Sequence, residues 1–475
     1  MKKAWGISMR SLRSTALITI LPALLVILCL TTPATGMEIA PSSYTVRGPI
    51  HIVGDSDFTS ENGVVGGSGT ADDPYIIEGW QISVSSGPAI WIESTTAHFV
   101  IRNCLLIGNP DQICQGVKLE SVENGRVEYL VITNMPKAGS SGIYLRDCHH
   151  CVVFANSMLN VRNGLDVYNS HDLAIEGNII QEADVGVDIN GGQSINITLN
   201  YINEVRLGIF ICGSTNDLIV SNIVCNITGV GIDLVEGAND LFVACNNITQ
   251  TPEHEGMYTG IELLGGVQHD TVFNNTIKGL GSGIRLSYAS GNTIIYNTIS
   301  NCGECGLNST SSDNNAIHHN NFIDNAVNAW DDRDTNSWDD GAEGNYWSDY
   351  TGEDADNDGI GDTPYPIPGP GGNVDRYPLM EPAKPPLLDE EGPNIKDVEW
   401  EPEEPVEGED VIVRAIVEDP SGVKEVVLLY RTDGEWTTTP MTPSQGHYEA
   451  TIPGQPANTT VHFKIRASDT LDNYN

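Results

Sequence analysis

From Gly142 to Asn321 the chain repeats itself every 22 to 29 residues, most often every 22. Each unit opens with Gly, an aliphatic residue, any residue and usually a second aliphatic. Examples are Gly142-Ile143-Tyr144-Leu145, Gly164-Leu165-Asp166-Val167, Gly186-Val187-Asp188-Ile189, Gly231-Ile232-Asp233-Leu234 and Gly260-Ile261-Glu262-Leu263. Each unit ends with Asn, any residue, then an aliphatic residue or Met, at Asn156, Asn178, Asn200, Asn222, Asn246, Asn275, Asn297 and Asn321. A fixed period with two short strand patterns per unit points to a solenoid of stacked β-coils, not a compact two-layer domain. Helix competes poorly, because the runs are short, β-branched and bounded by Gly and Asn. In Gly-Ile-x-Leu the aliphatics point inward and the residue between them outward, since strand side chains alternate. The recurrent Asn reads as a turn residue that takes left-handed geometry and stacks on the Asn of neighbouring coils.

The rest of the chain arranges itself around this repeat. Residues 1–36 have the form of a signal peptide: Lys2, Lys3, Arg10 and Arg13, an apolar core over about 16–30, then small residues. The core is short for a spanning helix and contains Pro22, so secretion is expected, with an uncleaved membrane anchor as the alternative. Residues 37–88 should cap and open the solenoid, with a first strand at 74–80. Residues 89–343 form the coils, and the Asp-, Trp- and Tyr-rich segment 344–380 closes them. A Pro-rich acidic linker spans 381–392. Residues 393–475 alternate as in a β-sandwich, at 411–417, 426–430, 447–452 and 461–467, with one strand fewer than such a sandwich usually has. The expected class is therefore all-β: a parallel β-helix followed by an immunoglobulin-like sandwich whose last strand is missing.

With 64 acidic and 23 basic residues, the chain is a poor partner for nucleic acid. Such charge suits a well-solvated surface, calcium binding or a crowded cell surface. Beyond the leader nine cysteines remain, an odd number that implies a free thiol or an intermolecular bond outside the cytoplasm. Asn-x-Ser/Thr sequences at Asn196, Asn226, Asn247, Asn274, Asn308 and Asn458 are candidate glycosylation sites in a secreted chain.

Reading the repeat in register gives one outward line: Trp91, Lys118, Tyr144, Asp166, Asp188, Phe210, Asp233, Glu262, Arg285. Coils ~4.8 Å apart bring Asp166 next to Asp188 and Asp233 next to Glu262. Paired carboxylates suit glycoside hydrolysis or a shared cation, and Trp91, Tyr144 and Phe210 offer surfaces for sugar stacking. Glycan binding, catalysis with Asp166, Asp188, Asp233, Glu262 and Arg285, and an ordinary solvated face are the three readings of this line. For a lyase, Arg285 beside Glu262 is the one plausible pairing of base and carboxylate. A second constellation is Cys148-His149-His150-Cys151, with His171 one coil beyond His149. Converging Cys148, His149, Cys151 and His171 would suit copper or zinc; a disulfide or a buried thiol beside exposed histidines is the alternative. In Asp354-Ala355-Asp356-Asn357-Asp358-Gly359-Ile360-Gly361-Asp362, oxygen ligands at positions 1, 3, 5 and 9 with Gly at 6 fit a calcium loop. Position 12 is Tyr365 rather than Glu, so the loop is not a regular EF-hand, and an unliganded acidic loop is the alternative.

The coil pattern and the segments 62–80 and 344–380 resemble the NosD-like right-handed parallel β-helix proteins, particularly secreted archaeal members, over residues 45–380. The resemblance implies the fold. It also implies a group tied to carbohydrate binding and sugar hydrolysis, whose namesake is linked to copper delivery to nitrous oxide reductase. Three functions follow as expectations: a non-catalytic surface protein that binds polysaccharide or cell-surface glycan, a polysaccharide lyase, epimerase or hydrolase, and a copper-handling accessory protein.

Overall fold

The computed structural model describes residues 44–251, 254, 256–385, 392–419, 423–432, 434–444 and 446–469. The expected leader at 1–36, and residues 386–391 of the expected linker, lie outside them. The chain divides into two compact units, the second starting at Pro385.

The first unit is a parallel β-helix of about 12 turns. Each coil carries three strands, and each strand pairs in parallel with its equivalents one coil on either side. The first face starts at Ile50–Val53 and Gly87–Thr95 and ends at Ala329–Asp331. The second runs from Tyr75–Glu78 to Ala316–His318. The third runs from Thr45–Arg47 to Tyr346–Trp347, so coil pairing already begins within the segment expected to open the solenoid. Three central strands, Ser157–Glu176, Ile179–Thr198 and Tyr201–Thr215, stay paired through the corners between faces. No helix among the described residues is long and apolar enough to cross a membrane.

The core is a stack of aliphatic layers. In one coil Ile180, Val187, Ile189, Ile195 and Ile197 are fully buried, each contributing about 2 kcal/mol relative to exposure. The Gly that opens each first-face strand is required by space. A Cβ on Gly186 would sit 2.5 Å from the carbonyl oxygen of Gly208 and 2.7 Å from Ile202 Cγ2.

Two ladders of buried polar side chains hold the corners. Between the second and third faces, Asn156, Asn178, Asn200, Asn222, Asn246, Asn275, Asn297, Asn320 and Asn345 form a continuous chain. Asn200 shows the unit of this ladder. Its Nδ2 donates to Ile175 O and to Asn222 Oδ1, each at 3.0 Å. Its Oδ1 accepts from the backbone N and Nδ2 of Asn178, each at 3.0 Å. This corrects the sequence reading twice. The ladder passes through Asn320, not Asn321. From Asn156 to Asn320 the left-handed residue is the one before the ladder Asn, as at Ala155, Leu199, Ser221, Cys245 and Tyr296. The Asn itself turns inward and replaces the hydrogen bonds that the bending backbone gives up.

The second ladder lies between the first and second faces. There Asp270 N donates to Asn292 Oδ1, Asn292 N to Asn315 Oδ1 and Asn315 N to Asn336 Oδ1. Where the residue is Asp, no amide reaches back to the preceding coil. Asp217 Oδ2 and Asp270 Oδ2 have no partner, and burial pushes the two carboxyls up to about 6 and about 7.

An aromatic stack closes the far end. Phe322 stacks on Trp347 at 4.5 Å, and Trp347 on Tyr365 at 4.2 Å. Buried Asp375 accepts from Trp347 Nε1 at 2.8 Å, and Asp331 from Trp338 Nε1 at 3.0 Å. In the second unit, Asn394–Glu401, Val411–Glu418, His447–Ile452 and Thr442–Ser444 form one antiparallel sheet. Thr437–Pro440, Val423–Arg431 and His462–Asp469 form another. Val413, Ala415 and Ile452 of the first sheet share a core with Val426, Leu428 and Ala467 of the second.

Two stability predictions follow from the ladders. Asn200→Ala strands the buried donors of Asn178 and the carbonyl of Ile175, and should cost about 3 kcal/mol in chemical denaturation. Thr276→Ala, on an exposed strand position, should stay within about 0.5 kcal/mol of the parent. Asp270→Asn should do the opposite at neutral pH. The folded carboxyl titrates near 7 rather than in the ordinary carboxylate range, so its stabilising contribution is full at acid pH and is lost as pH rises through about 7. The variant should melt higher than the parent at pH 7.5, and its advantage should shrink at pH 4.5.

Candidate functional site

The first face brings the sequence-derived line together. Across successive coils Trp91 pairs with Lys118, then Tyr144, Asp166, Asp188, Phe210, Asp233, Glu262 and Arg285. The acids point away from the core, yet Asp166, Asp233 and Glu262 are buried by their neighbours on the face. Asp166 accepts from Asn163 Nδ2 at 2.6 Å and from the Ser141 hydroxyl. The same Asn163 amide nitrogen reaches Asp188 Oδ2 at 3.2 Å, so one nitrogen bridges the two carboxyls. Asp188 also accepts from Asn190 Nδ2 at 2.6 Å. Burial, then the charge of Asp166, push Asp188 up to about 6. Burial, then the charge of Glu262, push Asp233 up to about 6 as well. Glu262 accepts from Arg285 Nη2 at 2.9 Å, while Asp233 Oδ1 has no partner. The face thus carries two carboxyls poised to hold or release a proton near pH 6, each beside another carboxyl.

The corner between the third and first faces has neither ladder. Instead Asp184 binds Arg206 by two bonds, at 2.9 and 3.0 Å, and Arg162 at 2.9 Å. These residues line an open groove of about 540 Å³ together with Glu182, Glu204 and His254. The sequence reading missed this row. The signal was present: Arg162, Asp184 and Arg206 each stand two residues before a strand-opening Gly.

The aromatic candidates are less free than their spacing implied. His51 stacks on Trp91 at 4.2 Å, and the Lys118 ammonium lies 4.2 Å from the same ring. Tyr144 lies 5.5 Å from Tyr168, with the Arg146 guanidinium 5.4 Å from its ring. Phe210, between Asp188 and Asp233, is half-buried.

The Cys and His candidates part company. Cys148 and Cys151 point into the core, at 0% and 1% exposure. The hydrogen bond with Cys151, then burial, drive the Cys148 thiol far above its ordinary range, the reverse of what a thiolate ligand needs. His149 and His171 stack with each other on the outside at 3.6 Å. A copper or zinc centre built from all four does not fit this geometry. No disulfide joins any two of the nine cysteines among the described residues.

In the acidic loop, Asp354, Asp356 and Asp358 bring carboxylate oxygens within 4.8 Å of one another. Asp362 lies outside that group and accepts from Ala355 N at 2.9 Å. Of the six sequon asparagines only Asn458 is fully exposed. Asn226 and Asn274 use their amide nitrogens on Asn203 and Cys245. A further cluster went unread in the sequence: His318, His319 and Asp340 also place ligand atoms within 4.8 Å of one another. The adjacent histidines were visible, but not the backbone turn that aims both the same way.

A family model described as "Periplasmic copper-binding protein (NosD)" matches residues 61–259 and 228–352. A Pseudomonas aeruginosa protein described as "Probable ABC transporter binding protein NosD" is 34% identical over 154 residues, 29% of this chain and 35% of its own length. The chain therefore spans about a third of the length of that relative. Among solved structures, DFA-IIIase from Arthrobacter chlorophenolicus in complex with GF2 is 12% identical, with a TM-score of 0.41 over 50% of this chain and 69% of that one. A point mutant of the periplasmic alginate epimerase AlgG is 13% identical, with a TM-score of 0.41 over 62% and 84%.

Proposed function

The chain belongs to the NosD family of β-helix proteins, and from that premise we propose that it works outside the cytoplasm as a glycan-binding protein whose first face holds the ligand. The observation that carries this reading is the run of Asp166, Asp188, Asp233 and Glu262 in one register line, with half-buried Phe210 between them. The Asp188 carboxyl, oriented by Asn163 and Asn190, offers hydrogen-bond acceptors to sugar hydroxyls, and Phe210 beside it offers an apolar surface. The surplus of acids on this line disfavours uronate polymers unless a cation intervenes, so the ligand class is a neutral, hydroxyl-rich saccharide. A carboxyl that titrates near 6 beside a second carboxyl also suits acid–base catalysis, so turnover belongs in the same assay.

Copper handling is the second reading, favoured by the description of the matched family. Cys148, His149, Cys151 and His171 do not supply it, since their side chains lie on opposite sides of the coil wall. His318, His319 and Asp340 have the donor chemistry that copper prefers. We also assign a structural calcium ion to Asp354, Asp356 and Asp358, supported by the convergence of their oxygens beside the closing cap.

Two measurements test these assignments. On a glycan array followed by calorimetry at pH 6, neutral oligosaccharides should bind, and the double variant Asp188→Asn, Asp233→Asn should bind about tenfold more weakly. Failure of every neutral and uronate glycan to bind or be degraded sinks the reading. For calcium, the melting temperature should fall on chelation and recover with added calcium, and Asp356→Asn should abolish that response. Identical melts with and without calcium would remove the ion from the cap.

A further inference from the structure

The corner between the second and third faces has the same construction in each coil from Asn156 to Asn320. A second-face strand ends, one residue takes left-handed φ, and the ladder Asn follows. The residues at the strand end and the left-handed position are Phe154 and Ala155, Thr198 and Leu199, Val220 and Ser221, and Ile295 and Tyr296. In the last coil they are His318 and His319, the latter at φ 58°. Neighbouring strand residues ordinarily point to opposite sides. The left-handed turn cancels that alternation, and the two rings meet with Nδ1 facing Nδ1 at 2.7 Å.

At that distance the two rings share one N–H···N hydrogen bond, which a metal ion could replace. His319 Nε2 lies 2.8 Å from Glu343 Oε2, which favours a proton on Nε2 and leaves Nδ1 as a lone pair. This is the arrangement by which a carboxylate orients a metal-bound histidine. Tyr296 fixes the His319 ring from the coil below, stacked at 4.8 Å. The backbone N–H groups of Ala342 and Glu343 each donate to Asp340 Oδ1 at 2.8 Å, which holds the carboxylate in place. Two nitrogen donors and an oriented carboxylate thus converge, with their ligand atoms within 4.8 Å of one another.

We propose that His318, His319 and Asp340 form a binding site for a divalent copper ion, with Glu343 as the positioning residue. Two imidazole nitrogens with one carboxylate are a donor set that suits copper, and the choice of copper rests on the second reading above, drawn from the description of the matched family. Three protein donors leave the remaining positions to water or to a partner's ligand. The site does not share residues with the glycan face and stands if that face fails.

The test is metal binding by the full chain, stripped with chelator and assayed in excess calcium so that hard acidic sites are occupied. One equivalent of Cu(II) should bind, with an axial electron paramagnetic resonance spectrum showing coupling to two imidazole nitrogens. His318→Ala and Asp340→Asn should each weaken binding by roughly tenfold or more, and Glu343→Gln by about tenfold. His171→Ala should bind as the parent does. Unchanged melting of Asp340→Asn, a largely exposed position, keeps loss of binding distinct from loss of fold. No stoichiometric copper in the parent, a spectrum without nitrogen coupling, or parental affinity in both ligand variants would overturn the proposal.

Discussion

From Asn156 to Asn345 the β-helix depends on the amide of one buried asparagine per coil. A parallel β-helix must turn its backbone sharply three times per coil, and each turn removes peptide groups from the strand ladders while keeping them from water. The side-chain amide has both a donor and an acceptor, so Asn200 closes the account for its own coil and for the coils on either side. The same bonds lock coil to coil in register. A slip by one residue would exchange the inward Val187 and Ile189 for the outward Asp188.

The Gly-to-Gly step made much of this legible. It fixed the fold class, the inward and outward positions, and the order of side chains from Trp91 to Arg285. Other features depended on backbone geometry that composition does not show. The left-handed residue precedes the ladder Asn and is chemically nondescript, as Ala155 and Leu199 illustrate. Asn320 and Asn321 are adjacent, and only the hydrogen bonds reveal which belongs to the ladder. Cys148 and His149 are neighbours in sequence, yet one faces the core and the other solvent, and proximity in sequence suggested the reverse. The pairing of His318 with His319 depends on one φ angle and on a cap segment that returns from residues 339–343.

The raised carboxyls fall into two groups by their direction relative to the coil wall. Asp217 and Asp270 occupy ladder positions, where a carboxyl is an imperfect substitute for an amide, and their raised titration is a cost of folding. Asp188 and Asp233 show similar shifts on an outward face, beside other carboxyls. A raised carboxyl alone does not identify a site. Its direction relative to the coil wall does.

The aromatic stack of Phe322, Trp347 and Tyr365 has a consequence beyond closing the core. An open solenoid end is a row of unpaired strands, a template on which another copy can continue the coil. Because each coil meets only its neighbours, the stack would close a shorter or longer solenoid equally well. Coil number is then uncoupled from termination, and the protein becomes a ruler. Its working face can grow or shrink in steps of ~4.8 Å, one 22-residue unit at a time, while both ends keep the same chemistry.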